Sequence, residues 1–297
     1  MKINIWIVVL LLTSLVNAQN FETLKNKEGL TKKEGLFNFW YSEKDDKIYL
    51  EVNQLDQDFI YVHSLTTGLG SNDIGLDRGQ LGGTAIVKFQ RAGNKLLLIQ
   101  PNQDYRATSD NALERRSVEQ AFAISVRYGF TIIEEKNNTF LIDLTPFLLE
   151  DAHGFSKRLK QKKQGNYTID KSKSAIAMQR TKSFPKNSEF EALLTFNGEP
   201  TGRDVMSVAP DASNLTVIQH HSFVQLPDDG YKKREFDPRS GVNYISYQDY
   251  SAPVFEPLTK RYIKRHRLEK KNPEAVISEA VPLVDGIATN LALFLNL

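Results

Sequence analysis

The sequence contains no cysteine. Disulfide stabilisation is therefore unavailable, a thiol nucleophile is excluded, and no lipid-modified cysteine can anchor a mature N-terminus. An excess of charge of one sign is also lacking: 38 basic residues stand against 36 acidic ones, a net charge of +2. No field of that size implies nucleic acid. Long hydrophobic runs are scarce too. The longest, "IWIVVLLL" at 5–12, is too short for a comfortable membrane span. No repeat of fixed period and no low-complexity linker is visible.

What remains is ordinary globular composition. With 297 residues, 40% hydrophobic and 25% charged, the chain can build one large domain or two modest ones around a sizeable core. Its first eighteen residues read as a secretory signal peptide: Lys2 is the positive start, the apolar run follows, and Val16 and Ala18 occupy small-residue cleavage positions before Gln19. The expected location is outside the cytoplasm, in the periplasm, the cell envelope or the medium, with no membrane span after cleavage.

Period-two patterns place strands at "KIYLEV" (47–52), "DFIYVHSLTTG" (58–68), "TAIVKFQR" (84–91), "KLLLIQP" (95–101), "EFEALLTF" (189–196), "NLTVIQHHSFVQL" (214–226) and "VNYISYQDY" (242–250). In the second of these Phe59, Tyr61, His63 and Leu65 share a face. "FTIIEE" and "TFLIDL" around "KNN" read as a hairpin. A helix is expected from the cap Asn111, with Glu114 completing a capping box, an apolar stripe running through Leu113, Val118, Ala121, Phe122, Ser125 and Tyr128, and Gly129 as C-cap. "TPFLLEDAHGFSKRLKQKK" is expected to be mostly helical from Thr145, with Pro146 in its first turn. The fold class is α+β, mainly antiparallel sheet with a few helices.

The segment "GSNDIGLDRGQLGG" (70–83) is the first candidate for chemistry. A P-loop fails because no glycine is followed by Lys and then Ser or Thr, and a dinucleotide fingerprint fails because Asp73 stands where its third glycine belongs. A hard-cation loop could draw oxygens from Ser71, Asn72, Asp73 and Asp77 around Gly75 and Gly79, but the EF-hand spacing is not met. The alternative is a strand-connecting loop whose glycines take positive φ and whose aspartates bond local amides. This reading carries more of the pattern.

The histidines, His63, His153, His220, His221 and His266, contain no pair spaced one helical turn apart, as H-E-x-x-H zinc chemistry requires. His220 and His221 are adjacent in a strand and face opposite sides. No G-x-S-x-G elbow is present; Ser240 lies in the turn "DPRSG". The basic runs at 157–163 and 260–271 read as solvated faces. No catalytic, cofactor-binding or metal-ligating residue is assigned.

Several blocks together resemble one family. "GSNDIGLDRGQLGG", "LIQPNQDYRA", "FPKNSEFEALLTF", "SVAPD", "QHHSFVQLPDDGYKKREFDPRSG", "ISYQDY" and "RHRLEKKNPEAVISEAV" are similar, in order, to the N-terminal half of exported bacterial zinc-dependent metalloproteases of metzincin-like type. The resemblance implies a short leader at 19–43, a non-catalytic N-terminal domain at 44–280 and a divergent apolar tail at 281–297. In the family a protease domain with its H-E-x-x-H helix follows, whereas here the chain reads "PLVDGIATNLALFLNL". The resemblance thus implies a truncated member, through a frameshift near Val281 or as a genuine short protein. No cofactor is expected on this chain, since zinc belongs to the missing catalytic domain. The implied partner is a protease catalytic domain; nucleic acid is not expected, and the oligomeric state is undefined. A stand-alone envelope module binding peptide or glycan through Tyr244, Tyr247 and Tyr250 is the alternative, and a self-sufficient peptidase the third reading.

Overall fold

A computed structural model describes residues 29–228, 232–265, 268–270 and 280–282. The expected signal peptide (1–18) and nearly all of the apolar tail lie outside the described residues. The fold is α+β and sheet-dominated. Its main sheet contains β1 (Leu30–Lys33), β2 (Phe39–Ser42), β3 (Lys47–Val52), β4 (Phe59–Leu65), β5 (Leu81–Ala92), β6 (Lys95–Gln100), β8 (Ser125–Lys136), β9 (Thr139–Asp143), β10 (Gly165–Ile169), β13 (Asn187–Pro200) and β14 (Asn214–Gln225). They run in the order β1-β2-β3-β9-β8-β6-β5-β4-β14-β13-β10, and β11 (Ala175–Ile176) and β12 (Lys182–Phe184) also pair with β13. A smaller sheet joins β7 (Tyr105–Arg106), β15 (Tyr244–Asp249) and β16 (Thr259–Ile263). The backbone of β17 (Leu268–Lys270) pairs with β18 (Ala280–Pro282).

The main sheet curls until its ends meet. Leu36 N–H donates to the Phe184 carbonyl at 2.7 Å, Phe37 N–H donates to Ser188 Oγ at 3.1 Å, and the rings of Phe39 and Phe190 lie 5.2 Å apart. Curling of this kind follows from strand twist and leaves one concave face for the core. Aromatic side chains at alternate positions fill it: Phe223 sits 5.2 Å from Phe59, 5.6 Å from Phe190 and 5.8 Å from Phe37, edge to face in each case. Such pairs contribute about 0.5–1.5 kcal/mol beyond the burial of their area. β4 is buried on both faces, with Phe59, Tyr61 and Leu65 in this core and Ile60 and Val62 in a second cluster with Val224.

Two helix expectations need correction. α1 spans only Ala112–Ala121, with Asn111 accepting from Leu113 N–H rather than closing a box with Glu114. Leu113 is 75% exposed, so the expected stripe is not a core face. From Ser125 the chain is β8 instead, pairing Gly129 with Leu97 and Ser125 with Gln100. Period-two burial of Phe130 and Ile132 against the sheet overrides the helical spacing. The second helix is split into α2 (Thr145–Leu148) and α3 (Phe155–Gln161). Gly154 breaks it at φ 73°, and Asp151 accepts from Phe155 and Ser156 N–H at 2.7 and 2.9 Å. One short further helix, α4 (Arg203–Val208), precedes β14.

Candidate functional site

The glycine-rich segment connects β4 to β5, and its conformation is set by backbone bonds. Leu69 N–H donates to Leu76 O at 2.9 Å, Gly75 N–H to Ser71 O at 3.2 Å and Gly79 N–H to Leu65 O at 2.7 Å. Ile74 and Leu76 are driven into the core. Gly75 takes the left-handed conformation, at φ 71°, and at Gly68 a Cβ would fall 2.5 Å from Arg78 N and Leu76 O. These positions need glycine for shape. Among the described residues no three His, Asp or Glu side chains are grouped closely enough to hold a metal ion.

The last two glycines do something else. Gly82 and Gly83 lie on β5 beside a register shift in the β4–β5 ladder between Val62 and Ser64, and the His63 ring fills the space above them. A Cβ on Gly82 would land 2.1 Å from His63 Nδ1 and 2.8 Å from His153 Nδ1. Gly83 N–H donates to His63 Nε2 at 3.0 Å, which leaves the ring proton on Nδ1. That proton faces His153 Nδ1 at 3.3 Å, and His153 Nε2 in turn donates to Gln80 Oε1 at 3.3 Å.

Gln219 extends this network into the core. Its Oε1 accepts from His153 N–H at 2.9 Å, and its amide nitrogen donates to Glu150 O at 2.8 Å and to His221 Nε2 at 2.9 Å. The His221 proton therefore sits on Nδ1, 2.9 Å from Tyr61 Oη. Burial pushes the His221 pKa down to about 3 and that of His63 to about 4, and lowers that of His153. These three rings are kept neutral.

One residue along β14, the chemistry reverses. His220 Nε2 lies 2.7 Å from Glu189 Oε2 and its Nδ1 lies 3.2 Å from Glu191 Oε1. Burial opposes its charge, but bonding to the two carboxylates outweighs this and raises its pKa. Hydroxyl and amide donors bond the same carboxylates: Ser222 Oγ donates to Glu189 Oε2 at 2.5 Å, Asn187 Nδ2 to Glu189 Oε1 at 2.6 Å, and Thr66 Oγ1 to Glu191 Oε1 at 2.5 Å. Ser222 bonds the carboxylate and not the imidazole, so this is not a relay that would activate the hydroxyl.

The interior network reaches the surface at His153. There, between the glycine loop and α3, opens a cleft of about 370 Å³ lined by Leu76, Gln80, Ala152, His153, Gly154, Lys157, Arg158 and Gln161.

His220 and His221 face opposite sides of β14, as their adjacency requires, while His266 falls outside the described residues. The approach of His63 to His153 was not legible, because 90 residues separate them. Its one trace in the sequence is the pair Gly82–Gly83, which was read as part of the loop. Tyr247 is buried under the Arg106 guanidinium, 4.3 Å from its ring centroid. Tyr250 remains 46% exposed, beside Phe122, whose ring stacks on Tyr105 at 3.9 Å. Ser240 Oγ donates to Asp237 O within its turn.

Residues 79–271 match the model of a domain of unknown function, DUF5117. The chain belongs to the DUF5117 family. Residues 19–68 match a second domain of unknown function, DUF5118. No curated protein and no solved structure matches the chain. The two matched stretches are one sheet in space: β4, from the DUF5118 stretch, is hydrogen-bonded on one side to β5 and on the other to β14, both from the DUF5117 stretch. His63 crosses the same boundary to Gly83 and His153.

Proposed function

We propose that this chain is the non-catalytic N-terminal region of an exported zinc-dependent metalloprotease, an accessory or prodomain-like unit that is inactive on its own. The ordered sequence blocks that resemble that family motivate the reading. One observation carries it: each of the four described histidines has both ring nitrogens engaged by protein partners. His63, His153 and His221 are held by one another and by Gly83, Gln80, Gln219 and Tyr61, and His220 is held by two glutamates. A nitrogen engaged in this way can bind a metal only by giving up its protein partner. The residues that most resemble catalytic machinery serve the architecture.

The test has two arms. Full-length chain supplied with zinc is assayed on casein; no chelator-sensitive cleavage is expected, and its appearance would overturn the reading. The chain is then co-expressed with an isolated catalytic domain of the resembled family. A change in that domain's soluble yield or proteolytic rate is expected, and no effect on either counts against an accessory role.

A second reading, an envelope glycan- or peptide-binding module, is favoured by the surface aromatic group of exposed Tyr105 and Tyr250 with half-buried Phe122 between them. Stacking platforms of this kind suit sugar rings. Failure of Tyr250→Ala to weaken retention on envelope extract would remove it.

A further inference from the structure

We infer that the cleft between the glycine loop and α3 is a binding site for the oxyanion group, carboxylate or phosphate, of a small ligand. This goes beyond the accessory role proposed above and does not depend on it.

The two charged side chains that line the cleft, Lys157 and Arg158, are both cations. Neither makes a hydrogen bond or ion pair among the described residues. The carboxylate closest in sequence is already committed, since both oxygens of Asp151 accept backbone N–H groups at the start of α3. The amides contribute donors in the same sense. Gln80 Oε1 is taken by His153 Nε2 at 3.3 Å, which leaves the Gln80 amide N–H groups available, and Gln161 adds another amide to the wall. The groups left unsatisfied around the cleft are therefore mainly donors, two of them charged.

The loop borders Arg158: a Cβ on Gly75, at φ 71°, would sit 3.9 Å from its Nη2, an ordinary contact distance. At about 370 Å³ the space suits a small ligand or the end of a peptide. Converging charged donors are the chemistry that recognises carboxylate and phosphate.

The probes are inorganic phosphate, acetyl-dialanine with a free carboxylate, and the same peptide amidated, each titrated into the full chain by calorimetry at low salt. Saturable binding of phosphate, of the free acid, or of both is expected, and which of them binds identifies the source of the oxyanion. The amidated peptide should bind at least tenfold more weakly than the acid. The double variant Lys157→Gln/Arg158→Gln should weaken binding at least tenfold. Lys160→Gln, on the same helix but outside the cleft, should change it less than threefold. Ligand should also shift the His153 ring resonances in wild type but not in the double variant. The inference fails if neither anion saturates the chain, if the amide binds as well as the acid, or if Lys160→Gln costs as much as the double variant. Lys157 is exposed and Arg158 half-buried, so the double variant is expected to fold, and an unchanged thermal midpoint checks this.

Discussion

Replacing Gly82 with alanine adds one methyl group where the chain has no room for it. The new Cβ would lie 2.1 Å from His63 Nδ1, 2.2 Å from its Cε1 and 2.8 Å from His153 Nδ1. Ordinary contacts between such atoms are about 3.5–4.0 Å, so the overlap with the His63 ring exceeds an ångström. The ring cannot simply rotate away, because Gly83 N–H holds its other nitrogen at 3.0 Å. Overpacking of this kind costs about 1–3 kcal/mol, and loss of the Gly83–His63 and His63–His153 bonds adds about 1 kcal/mol each. The expected destabilisation is about 3–5 kcal/mol, a large share of the roughly 5–15 kcal/mol that holds a domain folded. Urea denaturation measures it. The decisive comparison is the His63→Ala background, where the two closest clashes are gone and only the 2.8 Å approach to His153 Nδ1 remains; the methyl group should cost at least about 2 kcal/mol less there, so that the two changes are strongly non-additive. If Gly82→Ala costs the same in both backgrounds, or less than about 1 kcal/mol in the wild type, the account of this glycine is wrong.

Two pH effects of opposite sign follow from the histidines. His63 and His221 have folded pKa values of about 4 and about 3, below the unfolded value of about 6.5. Between these limits the unfolded chain binds more protons, so their stabilisation is full above about pH 6.5 and lost as pH falls, by up to about 3 kcal/mol for either ring at pH 4. His221→Gln should flatten the fall in stability between pH 6.5 and 4, and an unchanged slope refutes the assignment. His220 has a raised pKa, so its contribution is full below about pH 6.5 and lost as pH rises through the folded value. His220→Gln should therefore destabilise by about 1–3 kcal/mol at pH 5 and by less at pH 9; a cost independent of pH would mean that the ring is not charged.

Much of the sheet was legible because its strands advertise themselves locally. β3, β5, β6, β13 and β14 carry alternating apolar residues between turn residues, and the "KNN" hairpin closes through Asn137 and Asn138 at φ 51° and 60°, a conformation that asparagine tolerates. The helix after Asn111 was overrun because "SVRYGF" satisfies both periods, and only pairing with β6 decides between them. The site was less legible. Gly70, Gly75 and Gly79 signal a turned loop directly, whereas Gly82 and Gly83 are strand residues whose meaning lies in a ring from β4. Nothing in a linear reading distinguishes a glycine that bends the chain from one that makes room.

The same limit governs the dipeptide His220–His221. A one-residue slip of β14 would exchange the faces of every side chain on the strand, yet at this point it would merely put one imidazole in place of the other. The pair cannot fix its own register. That task falls to the neighbours: Phe223 must meet Phe59 and Phe190 inside, Ser222 must meet Glu189 outside, and Gln219 must reach both Glu150 and His153. Only once these are in place does one ring become a neutral link in a buried chain and the other a ring whose charged form two glutamates favour. Chemically identical residues thus have their pKa values pushed in opposite directions by the sheet around them, and a histidine in this fold carries no function that can be read from its identity alone.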